Sequence, residues 1–176
     1  MINNLEDVVL FASLAHREQK MIDPDVPYLT HLIGVASNVL EAYYNGKQEF
    51  DLDYALKVAI LHDVIEDTNY SYKDVEEKFG KNIADGVLAL SKNDSIEKSL
   101  RMQDSVRRIK KCSKEVAIVK LADRTFNMRC KPSAWDKEHC SRYLLEARYI
   151  HDELGDNNEY LSKKLNERIK NYDRED

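Results

Sequence analysis

Glycine and proline are scarce in this chain, five and three among 176 residues. Both interrupt helices, and their near absence beside abundant Leu, Ala, Lys and Glu favours an all-α fold. Cysteine is equally sparse. Cys112, Cys130 and Cys140 are odd in number and include no CxxC pair, which argues against a disulfide framework and fits free thiols in a reducing compartment. No apolar run approaches the roughly 20 residues of a membrane span, and Met1 to Asp7 does not read as a signal peptide. The expected location is therefore cytoplasmic, with no membrane partner. Positive charge is not in excess either: 27 basic against 32 acidic residues leave a net charge of −5, which opposes non-specific binding to nucleic acid. The length and the 43% apolar content suit one domain over residues 1–176 with a single core.

What remains is a succession of amphipathic helices. Asn3 and Glu6 resemble a capping box, opening a helix to about Gln19. Pro24 and Pro27 force a loop over 22–27. A second helix is expected from Tyr28 to Tyr44, stopping before Gly46, and a third from Asp51 or Asp53 to about Asp67. Ser71 with Asp74 reads as the next cap and Phe79-Gly80 as the next stop, followed by a short helix over 82–90. Ser95 is expected to cap a polar helix reaching Lys111, and Ser113 with Glu115 to open the following one. Ser133 with Asp136 starts a helix that ends before Gly155, and a last helix covers roughly 158–172. Basic residues are concentrated between Lys98 and Lys131. They form either an ordinary solvated face or a positive rim that attracts a phosphorylated substrate.

The chemistry gathers at Leu61-His62-Asp63-Val64-Ile65-Glu66-Asp67-Thr68. On a continuous helix, residues four apart lie one above the other, so His62 would stack with Glu66 and Asp63 with Asp67. Carboxylates this close repel, and a bound cation relieves the repulsion. His31, His62, Asp63 and Asp123, drawn from three helices, would make a ligand set suited to Mn, Fe, Zn or Co. Each has a plainer alternative: a hydrogen-bonded histidine, or an Asp123 paired with a nearby lysine. Glu66 and Asp67 are the groups placed to orient a water or move its proton, and one of the clustered carboxylates should have a raised pKa.

Three stretches carry a family resemblance. Leu61 to Thr68 resembles the signature of the HD-domain guanosine tetra- and pentaphosphate hydrolases, the Rel/SpoT family. Val119-Lys-Leu-Ala-Asp-Arg-Thr-Phe-Asn-Met-Arg129 resembles that family's second signature, and Pro27-Tyr28-Leu-Thr-His31 with Val35-Ala36 its first histidine motif. The lack of a synthetase region makes the chain similar to the small, stand-alone alarmone hydrolases. The resemblance implies an HD-domain helical bundle and a 3′-pyrophosphohydrolase acting on a guanine nucleotide alarmone. It implies one Mn²⁺ held by His31, His62, Asp63 and Asp123, with Glu66 and Asp67 catalytic. Asn127 falls on an asparagine that supports the site or the substrate, Lys20 on a nucleotide-clamping cation, and Tyr143 on a pocket aromatic whose alternative is core packing. Met21 stands where a second clamping cation is usual. That departure keeps two rivals open: a phosphatase for another 3′-phosphorylated nucleotide or phosphorylated dinucleotide, and a non-catalytic nucleotide sensor. Tyr28 is expected to pack the helix start, and His16, His139 and His151 to be surface or supporting residues.

Overall fold

Two helices, α3 (Leu52–Leu61) and α8 (Lys114–Asn127), are buried around most of their circumference and are enclosed by the others. In α8, every residue from Glu115 to Thr125 is buried. The computed structural model describes residues 4–22 and 25–174, and side chains up to Tyr172. Among these residues it contains ten α-helices and two single 3₁₀ turns, with no strand. The chain order is α1 (Leu5–Ala15), α2 (Leu29–Tyr44), α3, α4 (Val64–Asp67), α5 (Tyr72–Phe79), α6 (Lys81–Leu90), α7 (Arg101–Ile109), α8, α9 (Lys137–Leu154) and α10 (Glu159–Arg174). No helix among the described residues is long and apolar enough to cross a membrane.

Helix α2 buries Leu32, Val35, Ala36, Val39 and Ala42 along one stripe and packs on both α3 and α8, which also pack on each other. The amide of Asn38 sets the register of α2 against α8 by donating to Ala122 O at 3.0 Å. The α2 N-terminus, the α3 C-terminus and the last turns of α8 therefore meet at one end of the bundle. Several local expectations hold. Ser71 and Asp74 form a reciprocal capping box, Gly80 adopts the positive φ that ends α5, and Asp136 caps α9 through His139 N.

Others need correction. The first helix ends at Ala15, not Gln19, and the Asn3 cap lies outside the described residues. Ser95 caps no long helix; its hydroxyl donates to Asn93, and α7 starts only at Arg101, after a 3₁₀ turn. Arg108 of α7 reaches back to donate to the carbonyls of Leu88, Ala89 and Ser91. It thus satisfies the open end of α6 and anchors the segment leading to Lys92. The expected continuous helix through His62–Asp67 is interrupted: α3 stops at Leu61, and α4 begins at Val64 after Asp63 at φ −97°, ψ −3°. Asp63 leaves regular helical geometry where its carboxylate turns to both imidazoles and accepts from Tyr28.

Candidate active site

At the break, four side chains from three helices converge. His31 Nε2 lies 3.1 Å from His62 Nε2 and 3.3 Å from Asp63 Oδ2. His62 Nε2 is 3.0 Å from the same carboxylate oxygen. Asp123 Oδ1, from α8, lies 3.6 and 3.7 Å from the two imidazole nitrogens. His31 and His62 are 2% and 3% exposed, and Asp123 7%. Atoms bound to one metal at about 2.0–2.2 Å stand about 3.0–3.6 Å apart, so His31, His62 and Asp63 already have the spacing of a shared ion, and Asp123 stands slightly wider of the imidazoles.

Hydrogen bonding prepares these donors. His62 Nδ1 faces Ala59 O at 2.8 Å, which places its proton there and leaves the Nε2 lone pair toward the cluster when the ring is neutral. Asp123 divides its oxygens. Oδ2 accepts from Lys120 Nζ at 3.0 Å, while Oδ1 accepts from Asn127 Nδ2 at 2.6 Å and faces the imidazoles. Asn127, expected on the same face as Asp123, is thus on it and in contact. Burial alone would neutralise both aspartates. The His62 and His31 imidazoles outweigh it at Asp63, and Lys120 and the same imidazoles at Asp123, so both are held well below the usual carboxylate range. Burial likewise opposes charge on His62, but Asp63 and Asp123 override it and raise its pKa. The residues fit a divalent cation: two imidazoles and two ionised carboxylates.

Glu66 and Asp67 flank the cluster, and the Asp67 N–H closes the helical i, i+4 bond to Asp63 O at 2.8 Å, so the expected Asp63–Asp67 relation holds across the break. Glu66 is held by Lys92, from Nζ to Oε1 at 2.5 Å and from the backbone N–H to Oε2 at 2.7 Å. Lys92 keeps its charge against burial because Glu66, with Asp63 and Asp123 behind it, faces it. Asp67 accepts from Gln19 Nε2 at 3.2 Å. Burial first and Asp63 second raise its pKa, so it is the clustered carboxylate whose titration moves upward.

Beside these acids opens a groove of about 490 Å³. Its lining combines four acids, Glu66, Asp67, Asp94 and Glu146, with Lys92, Lys98, Arg101 and Arg142, and with the rings of Trp135, His139 and Tyr143. His139 stacks on Trp135 at 4.0 Å, and Tyr143 meets the indole edge-on at 4.9 Å. Tyr143 is clamped from below by the Arg124 guanidinium, 3.9 Å from its ring, and burial pushes its hydroxyl up to about 12. The two readings of the basic stretch therefore apply to different residues. Lys98 and Arg101 line the groove, Arg101 already paired with Asp94 at 2.6 Å, whereas Arg107 and Arg108 neutralise Asp104, and Lys110 pairs with Glu153.

Two expectations about individual side chains change. Tyr28 does more than pack the helix start: its hydroxyl donates to Asp63 Oδ2 at 2.6 Å. The i, i+3 spacing to His31 was the available signal, since it puts both on one face of the first turn. Lys20 is placed on the loop with its ammonium 3.2 Å from Asp25 Oδ2, a pairing that the sequence did not suggest. Of the α9 residues of the groove Tyr143 was a candidate from the sequence, whereas Gln19, Lys92 and Arg142 had no motif to mark them.

This geometry defines a class. A helical bundle with a His/His-Asp/Asp cluster of this kind is a divalent-metal domain, and the chain belongs to the HD domain family, which it matches over residues 9–157. Among its relatives is the guanosine-3′,5′-bis(diphosphate) 3′-pyrophosphohydrolase MESH1 of Drosophila melanogaster. It is 32% identical over 163 residues, spanning 89% of this chain and 88% of that protein. The bifunctional (p)ppGpp synthase/hydrolase SpoT of Escherichia coli K12 is 36% identical over 135 residues, 73% of this chain and 18% of the longer protein. A solved structure, described as a metazoan ortholog of SpoT that hydrolyzes ppGpp and plays a role in starvation responses, matches with a TM-score of 0.84. It is 30% identical, with 97% of this chain and 96% of that one covered.

Proposed function

We propose that this chain is a Mn²⁺-dependent hydrolase that removes the 3′-pyrophosphate of guanosine tetra- and pentaphosphate, releasing pyrophosphate and GDP or GTP. The observation that carries the reading is the convergence of His31, His62, Asp63 and Asp123 at one end of the bundle, with Glu66 and Asp67 lining an adjoining groove that also holds Lys98, Arg142 and three aromatic rings. The relatives' named activity supports it.

A divalent ion held by the four ligands supplies Lewis acidity, acidifying water toward neutrality and offsetting phosphate charge. The chain's own residues do the rest. Water attacks the phosphorus attached to the 3′ oxygen, the bond between that phosphorus and the 3′ oxygen breaks, and the nucleoside oxygen leaves as a hydroxyl. Asp67, with its raised pKa, takes the water's proton and returns one to the leaving oxygen. Glu66, fixed by Lys92, orients the water. Lys98, Arg101 and Arg142 offer charge to the remaining phosphates, and Trp135 and Tyr143 offer faces to the nucleoside. Asn127 holds Asp123 in place. Three free thiols fit a cytoplasmic enzyme.

The test is pyrophosphate release from guanosine tetraphosphate with Mn²⁺, beside a His62→Ala control; equal release by the two would remove the proposal. A second reading draws on Lys20, which pairs with Asp25, and on Met21 beside it: a phosphatase for another 3′-phosphorylated nucleotide. A substrate panel decides, and a clear preference for alarmones over simpler 3′-nucleotides excludes this rival.

A further inference from the structure

His16 is buried at the end of α1, 3% exposed, and plays no part in the chemistry above. Its Nδ1 lies 2.6 Å from Gln19 Oε1, and Gln19 Nε2 donates to Asp67 Oδ2. An ionised carboxylate only accepts, so the amide must present its NH₂ to Asp67 and its oxygen to the imidazole. His16 then carries its proton on Nδ1. Its Nε2 is a bare lone pair, buried and without a partner among the described residues. An apolar ring of the same size would avoid that cost, so packing does not explain an imidazole here. The face of the same ring stacks on Tyr28, with centroids 5.0 Å apart and planes at 29°, and Tyr28 is the donor to Asp63. The loop between is pinned at its base: Tyr28 N donates to Gln19 O at 3.0 Å, and Lys20 bridges to Pro27.

We infer that His16 is a positioning residue with two arms. Its Nδ1–H locks the Gln19 amide so that Gln19 holds the proposed catalytic Asp67, and its ring face holds Tyr28 so that the tyrosine hydroxyl fixes the proposed ligand Asp63. The role of Asp67 rests on the proposed hydrolysis; the tautomer and the Asp63 arm do not.

The arms separate by substitution. His16→Phe keeps the stacking face and loses the donor. His16→Asn keeps an N–H near the Nδ1 position and loses the ring. Gln19→Met removes the amide. The variants are checked for folding by thermal melting, for Mn²⁺ affinity by the electron paramagnetic resonance signal of the free ion, and for turnover of guanosine tetraphosphate. His16→Phe and Gln19→Met should each lower kcat on the order of tenfold to a hundredfold, with KM and Mn²⁺ affinity unchanged. The double variant should be no worse than either, since both cut one chain of bonds. His16→Asn should recover most of kcat but bind Mn²⁺ on the order of tenfold more weakly. Additive losses in the double variant, or no recovery with Asn, overturn the Asp67 arm. Unchanged Mn²⁺ affinity in His16→Asn overturns the Asp63 arm. Long-range ¹H–¹⁵N spectra of the wild-type protein read the tautomer without turnover, and a proton on Nε2 overturns the inference outright. Failure of wild-type turnover would instead overturn the proposed reaction, leaving the tautomer and metal measurements to decide this one.

Discussion

Gly34 occupies the face of α2 that meets Phe126 of α8, one turn beyond His31. A Cβ at this position would lie 1.9 Å from Phe126 Cε2, 2.4 Å from Cδ2 and 2.6 Å from Cζ. Ordinary contact needs about 3.5–4.0 Å between carbons, so Gly34→Ala forces the ring to move by well over an ångström. It has little freedom to do so. It meets the His31 ring edge-on at 5.3 Å, carries the Arg129 guanidinium at 4.2 Å, and precedes Asn127, the partner of Asp123. Alanine gains roughly 0.8–1.0 kcal/mol in helix propensity over glycine. Overpacking costs typically about 1–3 kcal/mol, and a ring wedged between two helices belongs toward the upper part of that range. The net expectation is a loss of about 1–2 kcal/mol. For a chain of this length that lowers Tm by about 2–8 °C. Because the displaced ring leans on His31, Mn²⁺ affinity should fall as well. Both are measured on the same protein, by thermal melting without metal and by titration with Mn²⁺. Truncating the obstacle in Gly34→Ala/Phe126→Leu should recover much of the Mn²⁺ affinity. A Gly34→Ala protein that melts at or above the wild-type temperature and binds Mn²⁺ equally well would refute the reasoning, since helix propensity alone would then have decided the outcome.

Three further outcomes follow from the cluster. His62→Ala and Asp123→Asn should each abolish stoichiometric metal retention, measured by elemental analysis after gel filtration; a full equivalent retained in either removes that residue from the ligand set. Lys120→Met should destabilise the metal-free protein by on the order of 3 kcal/mol, because it strands a buried carboxylate, and added Mn²⁺ should restore part of the loss; urea denaturation with and without metal measures both. Stability should depend on pH in a definite sense. The raised pKa of His62 gives stability fully present below its ordinary value of 6.5 and lost as pH rises through the folded value, while the depressed Asp63 and Asp123 give stability present above 3.8 and lost as pH falls. The metal-free protein should therefore be most stable between those values. Mn²⁺, which displaces the proton from His62, should bind more tightly as pH rises from 6 to 8. A metal affinity flat across that range would contradict the proton-for-metal exchange.

Much of this was legible in the sequence because the cluster is built from short local patterns on strongly periodic helices. His31, the His62–Asp63 pair and Asp123 each sit just beyond a stripe of buried apolar residues, so their helices were readable, and the resemblance linked them. What was not legible depends on backbone that breaks the period. The interruption at His62–Asp63 is driven by tertiary contacts among the two imidazoles, Asp63 and Tyr28, and nothing in the run Leu61 to Thr68 marks it, since every residue there tolerates a helix. Lys92 sits in an irregular segment whose place is set by Arg108, sixteen residues on, capping α6. Gln19 lies on the turn between α1 and the loop, where no spacing rule applies. Tyr28 was readable in principle, three residues before His31, but a tyrosine after a proline has a packing explanation that spacing alone does not displace.

Asp123 illustrates why the plain and functional readings of a residue need not compete. The sequence offered a metal ligand or a partner for a nearby lysine, and the carboxylate does the second with one oxygen while presenting the other to both imidazoles. The two roles depend on each other. An aspartate this deeply buried would be neutral without a compensating charge, and a neutral carboxyl is a poor ligand. Lys120, one turn earlier on α8, keeps it ionised and occupies the oxygen turned away from the cluster. Lys120 cannot also answer Asp63, which faces the imidazoles and Tyr28 from the other side. With Glu66 and Asp67 adjoining, four carboxylates meet Lys120 and Lys92 as the ammonium groups in contact with them. The balance is made up by protons on imidazole at low pH. At neutral pH and above a divalent cation would make it up, so the same electrostatics that hold these carboxylates ionised would favour the metal uptake proposed above.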